Sequence, residues 1–202
     1  MPYKTSVLFI LTLISFYAFA QTAKIPKNAV KGDFDGDGKP EYAWVVKAKI
    51  KSPEEDCTEG KCVIKIMFSK PVMQPIYLQS SYDGELYNVG DLNGDGSDEF
   101  AAFPEWFTGC WRFCYIYTQK NNEWTYLIPP ISSDCNDRES SSYKAIEKVP
   151  GKPGWLKVRY HLVGSNQYIV KTVNLNDSIA VKKLPFDRRA QKLITDCTLL
   201  NQ

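Results

Sequence analysis

Apolar and polar residues alternate along several short stretches of this chain. A period of two is found in residues 46–51, 64–68, 111–117, 156–162 and 168–175. Because successive side chains of a strand point to opposite faces, each stretch predicts a strand with one buried and one solvated face, as is typical of antiparallel sheet. Turn-forming residues separate the stretches, at 83–84, 119–122, 164–166 and 176–178. The pattern predicts about nine or ten short strands.

One segment has a helical pattern instead. Beyond Asp187, apolar residues recur every three or four positions, at Ala190, Leu193, Ile194, Cys197 and Leu200. This spacing predicts a short C-terminal helix over about 187–199, with Asp187 as its N-cap. The predicted fold class is therefore mostly β and antiparallel, with one short helix at the end.

The N-terminus has the features of an export signal. Lys4 precedes an apolar run over 6–16, and Ala18-Phe19-Ala20 is a cleavage site of the A-x-A type. The run is short for a membrane-spanning helix, which needs ~20 residues. We therefore expect a signal peptide over 1–20, a mature domain over 21–202 without a membrane span, and a secreted or periplasmic location.

Charge is almost balanced along the chain. The sequence has 25 Lys+Arg and 23 Asp+Glu, a formal net charge of +2. Such a balance creates no general positive field to recruit nucleic acid, so we expect no nucleic-acid partner. The acidic residues are instead concentrated in two loops.

An acidic nine-residue loop occurs twice, at 33–41 and 91–99. Side-chain oxygens stand at positions one, three, five and nine, and glycine stands at position six; position seven needs only its backbone carbonyl. This is the hard oxygen ligand set that Ca²⁺ takes, in six- to eightfold coordination. The alternative is an Asp/Gly-rich turn without an ion. The predicted ligands are Asp33, Asp35, Asp37, Lys39 and Glu41 in the first loop, and Asp91, Asn93, Asp95, Ser97 and Glu99 in the second, for about two structural Ca²⁺ ions.

Neither loop continues as an EF-hand. Position twelve is Trp44 in one copy and Ala102 in the other, where that motif needs a bidentate Glu. The residues that follow are aromatic and β-branched, which favours a strand. Segments 32–44 and 90–103 therefore resemble the calcium loops of FG-GAP and VCBS repeats, the blades of integrin-alpha-type propellers. The chain departs from that family in having Glu at position nine and no clear third loop.

The resemblance implies propeller-blade-like antiparallel repeats. They would span about 30–88 and 89–150, with a degenerate third over 151–185. A closed propeller typically has four to eight blades, so we expect an open or sandwiched arrangement in a single domain.

Six cysteines follow the predicted signal: Cys57, Cys62, Cys110, Cys114, Cys135 and Cys197. An even number in an exported chain predicts disulfides, with fifteen connectivities open. Proximity favours Cys57–Cys62, then Cys110–Cys114, which leaves Cys135 with Cys197. A zinc site is not expected, since the sequence has one histidine and no C-x-x-C.

An aromatic segment follows the second acidic loop. Glu105, Trp106 and Phe107 form a candidate site for a glycan or a protein; the alternative is that these rings fill the core. We expect Trp106 to be exposed and Trp111 to be buried, because Trp106 stands in a turn region and Trp111 begins an alternating strand.

Motifs for catalysis are weak. The sequence has no G-x-S-x-G, H-E-x-x-H or Gly-rich phosphate loop. The predicted function is a binding module for glycan or protein. The alternatives are a small inhibitor or immunity-type protein of an exported enzyme and, less favoured, a hydrolase that uses Glu105, Asp134 and Asp137.

Overall fold

Three antiparallel sheets follow one another along the chain. The computed structural model describes residues 24–52, 57, 61–106, 111–134, 144–162, 168–182 and 184. This part of the chain forms twelve strands and one short helix. The prediction of a mostly β, antiparallel protein with a short helix near its C-terminus is confirmed. The predicted signal peptide and the predicted helix over 187–199 lie outside the described residues.

The first sheet is a four-stranded meander. Its strands are β1 (Val30–Gly32), β2 (Glu41–Val46), β3 (Val63–Phe68) and β4 (Ile76–Gln79), in that spatial order. The alternation over 64–68 is confirmed, because every second side chain of β3 is buried. The strand predicted over 46–51 is wrong, since β2 ends at Val46. The segment leaves the sheet there: Lys47 forms an ion pair with Asp83, and the N–H of Ala48 donates to the carbonyl of Tyr82.

The central sheet contains β5 (Asp83–Gly90), β6 (Glu99–Glu105), β7 (Arg112–Lys120) and β8 (Glu123–Tyr126) in that order. A fifth strand, β9 (Ile131–Ser133), pairs with the beginning of β7. The turn predicted at 83–84 is wrong, because these residues begin β5. Gly84 is needed there for close approach to β6: a Cβ would lie 3.1 Å from the Phe103 carbonyl oxygen.

The turn predicted at 119–122 is confirmed as the hairpin between β7 and β8. Asn121 and Asn122 have φ values of 52° and 64°. Positive φ at both central residues is the requirement of a two-residue type I′ turn, which Asn tolerates well.

The third sheet consists of β10 (Ile146–Lys148), β11 (Trp155–His161) and β12 (Tyr168–Asn174). Its central strand confirms the alternation over 156–162, with Leu156, Val158 and Tyr160 buried. The helix α1 (Ser178–Lys182) follows. Its cap is Asp177, whose carboxylate accepts hydrogen bonds from the N–H groups of Ile179 and Ala180. Among the described residues, no helix has the length and apolar character needed to cross a membrane.

The two middle strands of the central sheet, β6 and β7, are buried on both faces. One face, with Phe100 and Ala102, packs with the first sheet around Phe34; the other, with Ala101 and Phe103, packs on the third sheet. Strand β7 is consequently buried from Arg112 to Gln119, so the solvated face predicted for 111–117 is wrong. The stretch is a nearly continuous run of aromatic and apolar residues, which suits a strand covered on two sides.

Candidate metal centre

The two acidic loops lie at equivalent places in their sheets. The first connects β1 to β2 and the second connects β5 to β6, so that position nine of each loop is the first residue of a strand. The backbone N–H of Phe34 donates to Glu41 Oε2 at 3.0 Å. The N–H of Leu92 donates in the same way to Glu99 Oε2 at 2.6 Å. In each loop, the position-nine carboxylate therefore accepts a hydrogen bond from the backbone N–H of position two, seven residues earlier in the chain.

Two further hydrogen bonds are repeated. Position six donates to the position-one carboxylate, and position seven donates to the position-five carboxylate. The donor and acceptor pairs are Gly38 with Asp33 (2.9 Å), Gly96 with Asp91 (3.4 Å), Lys39 with Asp37 (2.8 Å) and Ser97 with Asp95 (2.9 Å). The glycines at positions four and six all have positive φ, from 70° to 95°. The sequence repeat is thus also a repeat of backbone geometry.

Position two anchors each loop in a different core. Phe34 is 0% exposed and belongs to the cluster between the first and central sheets. Leu92 is 2% exposed and belongs to the cluster between the central and third sheets. Because a buried side chain separates the ligands at positions one and three, the loop backbone is fixed by core packing.

The first loop gathers three carboxylates. One oxygen each of Asp33, Asp35 and Asp37 lies within 4.8 Å of the other two. The Oδ1 atoms of Asp33 and Asp35 are buried and have no hydrogen-bond partner. Buried acceptors of this kind are costly unless they are paired. Hard carboxylate oxygens left without a partner fit the donor set of a Ca²⁺ ion.

Lys70 was not identified from the sequence, yet its ammonium lies at this cluster. Its Nζ contacts Asp35, lies 2.7 Å from Asp37 Oδ2, and lies 3.7 Å from Glu41 Oε1. Hydrogen bonds to Asp35 and Asp37 raise the pKa of Lys70, and the bond from Lys70 lowers the pKa of Asp37.

The strand register explains this position of Lys70. Phe68 is paired with Ala43 in the β2–β3 ladder, and Ser69 extends the pairing through a hydrogen bond to the carbonyl of Tyr42. Continuing by one more residue places Lys70 opposite Glu41. Only knowledge of the register identifies the lysine, because it is remote from the loop in sequence.

The second loop contains an amide instead of an ammonium. Asn93 Nδ2 donates to Asp95 Oδ2 at 2.9 Å, to Glu99 Oε1 at 2.9 Å and to Thr118 Oγ1 at 3.3 Å. Within the part of the chain described, no cationic side chain forms an ion pair with Glu99. Burial raises the pKa of Glu99 to about 7. Burial also raises the pKa of Glu41.

The loops are in direct contact with each other. The N–H of Asp33 donates to Asp98 Oδ2 at 3.1 Å, and the N–H of Asp98 donates to the Asp33 carbonyl at 2.7 Å. Gly36 lies so close to the second loop that a Cβ would be 3.0 Å from Ser97 Oγ. A cleft of about 610 Å³ is lined by residues of both loops and of the β7–β8 hairpin. The two predicted metal positions therefore form one continuous acidic region.

The aromatic segment after β6 is packed rather than exposed. Glu105 Oε2 accepts hydrogen bonds from Arg112 Nη2 at 2.7 Å and Nε at 3.1 Å. Trp106 is half-buried, with its ring 5.2 Å from that of Phe113, so its predicted exposure is wrong. Trp111, predicted as core, is also only half-buried. Extended backbone alone does not decide burial here, because the neighbouring strands cover both rings in part.

Two of the residues proposed for ligand binding or hydrolysis lie outside the described residues: Phe107, from the candidate ligand site, and Asp137, from the hydrolase alternative.

A second aromatic surface was not identified from the sequence. It is a cleft of about 660 Å³ between β4 of the first sheet and β8 of the central sheet. Tyr77 and Tyr126 are 50% and 43% exposed there. Trp124 forms the floor, and its Nε1 donates to the Gln74 carbonyl at 3.0 Å. Tyr77 and Tyr126 line the same cleft because β4 and β8 are neighbouring sheet edges. No local pattern in the sequence indicates that these two strands are neighbours.

The cysteines agree in part with the prediction. A disulfide joins Cys57 to Cys62. Cys114 is a buried free thiol, which differs from the predicted Cys110–Cys114 pair. The Cys114 side chain lies in the core between the central and third sheets. Cys110, Cys135 and Cys197 lie outside the described residues.

Comparisons with protein-family models, with curated proteins and with solved structures find no match to this chain. The resemblance to FG-GAP and VCBS repeats therefore rests on the sequences of the two loops alone.

Proposed function

We propose that this chain is an exported β protein that binds about two structural Ca²⁺ ions and acts as a binding module. The observation that carries the proposal is the repeated loop geometry, in which matched backbone hydrogen bonds orient carboxylates of two loops toward one region. The residues that would hold the ions are those at positions one, three, five, seven and nine. The ions would neutralise the acidic loops and fix the turns that enter β2 and β6.

The expected benefit is stability. An ion that binds only the native state adds roughly RT ln(1 + [L]/Kd), about 2.7 kcal/mol at a hundredfold excess over Kd. Extracellular modules often have Kd values of ~10⁻⁴–10⁻³ M, which suits an ion with a structural role outside the cytoplasm.

Calorimetric titration tests the metal sites. The mature protein should approach two Ca²⁺ per chain at saturation, and the double variant Asp35→Ala, Asp95→Ala should lose both sites. Asp177→Ala is the matched control, because it removes a carboxylate from a helix cap far from the loops in sequence. Mg²⁺ should compete poorly, since it demands tighter octahedral geometry. Unchanged Ca²⁺ binding in the double variant would refute the assignment.

The cleft between β4 and β8 supports the binding role. Exposed tyrosine rings offer flat apolar faces, and Asn122 and Glu123 on the same cleft offer polar groups. Apolar faces with a few polar groups are typical of small-ligand sites. This combination favours a glycan, whose sugar rings present both apolar faces and hydroxyls.

A glycan array separates the competing roles. Tyr77→Ala and Tyr126→Ala should weaken glycan binding, whereas Trp106→Ala should not, if the cleft is the site. Loss of binding only in Trp106→Ala would favour the aromatic segment after β6 instead. Stoichiometric co-purification with an exported enzyme, with no glycan bound, would favour the inhibitor alternative.

A further inference from the structure

The two loops differ in what lies among their carboxylates. In the first loop a charged ammonium contacts Asp35 and Asp37 and approaches Glu41. In the second loop, extending the β6–β7 register by one residue places neutral Thr118 opposite Glu99, and the amide of Asn93 donates to Asp95, Glu99 and Thr118. The two loops also differ at position three, where Asp35 of the first corresponds to Asn93 of the second.

We infer that Lys70 is a tethered cation that competes with Ca²⁺ for the first loop and weakens Ca²⁺ binding there. This inference rests on the proposed function. The ammonium binds Asp35 and Asp37, two of the proposed ligands, so a Ca²⁺ ion has to displace it. The oxygens left without partners, Asp33 Oδ1 and Asp35 Oδ1, remain available to an ion that replaces it.

The lysine also makes the first loop less dependent on metal. Carboxylates held within 4.8 Å repel one another strongly without a nearby positive charge. Lys70 supplies that charge from the neighbouring strand. The first loop is therefore expected to keep its shape at low Ca²⁺ concentration, whereas among the described residues no cationic side chain forms an ion pair with the ligands of the second loop.

The test isolates the first loop. In an Asp95→Ala background, which disables the second loop, Lys70→Met should tighten Ca²⁺ binding by about tenfold to a hundredfold, the range for a displaced charged hydrogen bond. Lys31→Met is the matched control. It removes the same charge from an exposed side chain of β1 that is close to the first loop in sequence but is not one of its proposed ligands, and it should change the affinity by less than about threefold.

Two outcomes would overturn the inference. One is equal affinity in the Lys70→Met variant and its Asp95→Ala parent. The other is the same gain in Lys31→Met, which would mean a general charge effect. If Lys70→Met does not fold without Ca²⁺, Lys70→Gln provides the comparison, because its amide keeps hydrogen bonds to the carboxylates without the charge.

A separate variant shows whether the metal proposal itself fails, independently of the inference about Lys70. An Asp35→Ala protein keeps the second loop intact and should still bind one Ca²⁺. If it binds Ca²⁺ while the Lys70→Met, Asp95→Ala protein does not, the tethered-cation inference fails and the second metal site stands. If neither protein binds Ca²⁺, both proposals fail.

Discussion

The buried carboxyl of Glu99 should make the metal-free protein less stable as pH rises. Its side chain is 0% exposed, and burial raises its pKa from an ordinary 4.5 to about 7. A raised pKa in the folded state means that folding favours the protonated form. This contribution to stability is fully present below pH 4.5 and is lost as pH rises through about 7. A pKa change of this size corresponds to about 3 kcal/mol of unfolding free energy.

The other groups with shifted pKa values do not obscure the loss of stability expected from Glu99 between about pH 4.5 and 7. The pKa of Glu41 is raised by burial, so it acts in the same direction. The pKa values of Asp37 and Glu147 are lowered, chiefly by hydrogen bonds from Lys70 and Arg159. These two groups contribute stability that is lost only in more acidic solution, below about pH 4.

Urea unfolding between pH 5 and 8, with chelator present, measures the effect. The unfolding free energy should fall by up to about 3 kcal/mol across this range. Glu99→Gln keeps the shape of the side chain but does not titrate, so its fall should be much smaller. Saturating Ca²⁺ should also remove the fall, because an ion would compensate the ionised carboxylate. A wild-type stability that is flat or rises from pH 5 to 8, or an equal slope in Glu99→Gln, would refute the reasoning.

Three further predictions concern the scaffold. Phe100→Ala should cost about 3–5 kcal/mol of unfolding free energy by chemical denaturation, because Phe100 is fully buried among aromatic rings; exposed Val170→Ala should cost less than about 0.5 kcal/mol, and similar losses would contradict the packing. Cys114 should resist alkylation in the native protein and react after unfolding without reductant, as mass spectrometry can show, because its thiol is buried and burial raises its pKa. Asn122→Gly should be neutral or slightly stabilising by thermal unfolding and Asn122→Val destabilising, since φ is 64° there; the opposite order would rule out the turn type.

Local patterns in the sequence predict many of the elements. The alternation in β3 and β11 and the hairpin at Asn121 and Asn122 follow from residues that are adjacent in the chain. The two loops are equally local, since each closes on itself through hydrogen bonds over at most seven residues. Features of this kind are visible in a sequence because the interacting groups are neighbours.

The features that could not be predicted from the sequence depend on contacts between different strands. The lysines of 47–51 have the spacing of one face of a strand. Lys47 nevertheless lies beyond the end of β2 and forms an ion pair with Asp83 of the central sheet. Lys70 reaches the first loop only through the β2–β3 register. Trp106 is covered by Phe113 of the adjacent strand rather than exposed. Each of these depends on which strands become neighbours, and periodicity carries no such information.

The double burial of β6 and β7 has a consequence for how the chain is made. During synthesis the first and central sheets are complete before β10, β11 and β12 have been added, because those strands are last in sequence. Until then Ala101, Phe103 and Ile116 lack the third sheet, which packs on them in the finished chain. Exposed apolar surface of this kind makes partly folded chains prone to aggregate. A truncated product that stops before residue 146 therefore lacks the strands that cover one face of β6 and β7, and it should aggregate more readily than the full chain.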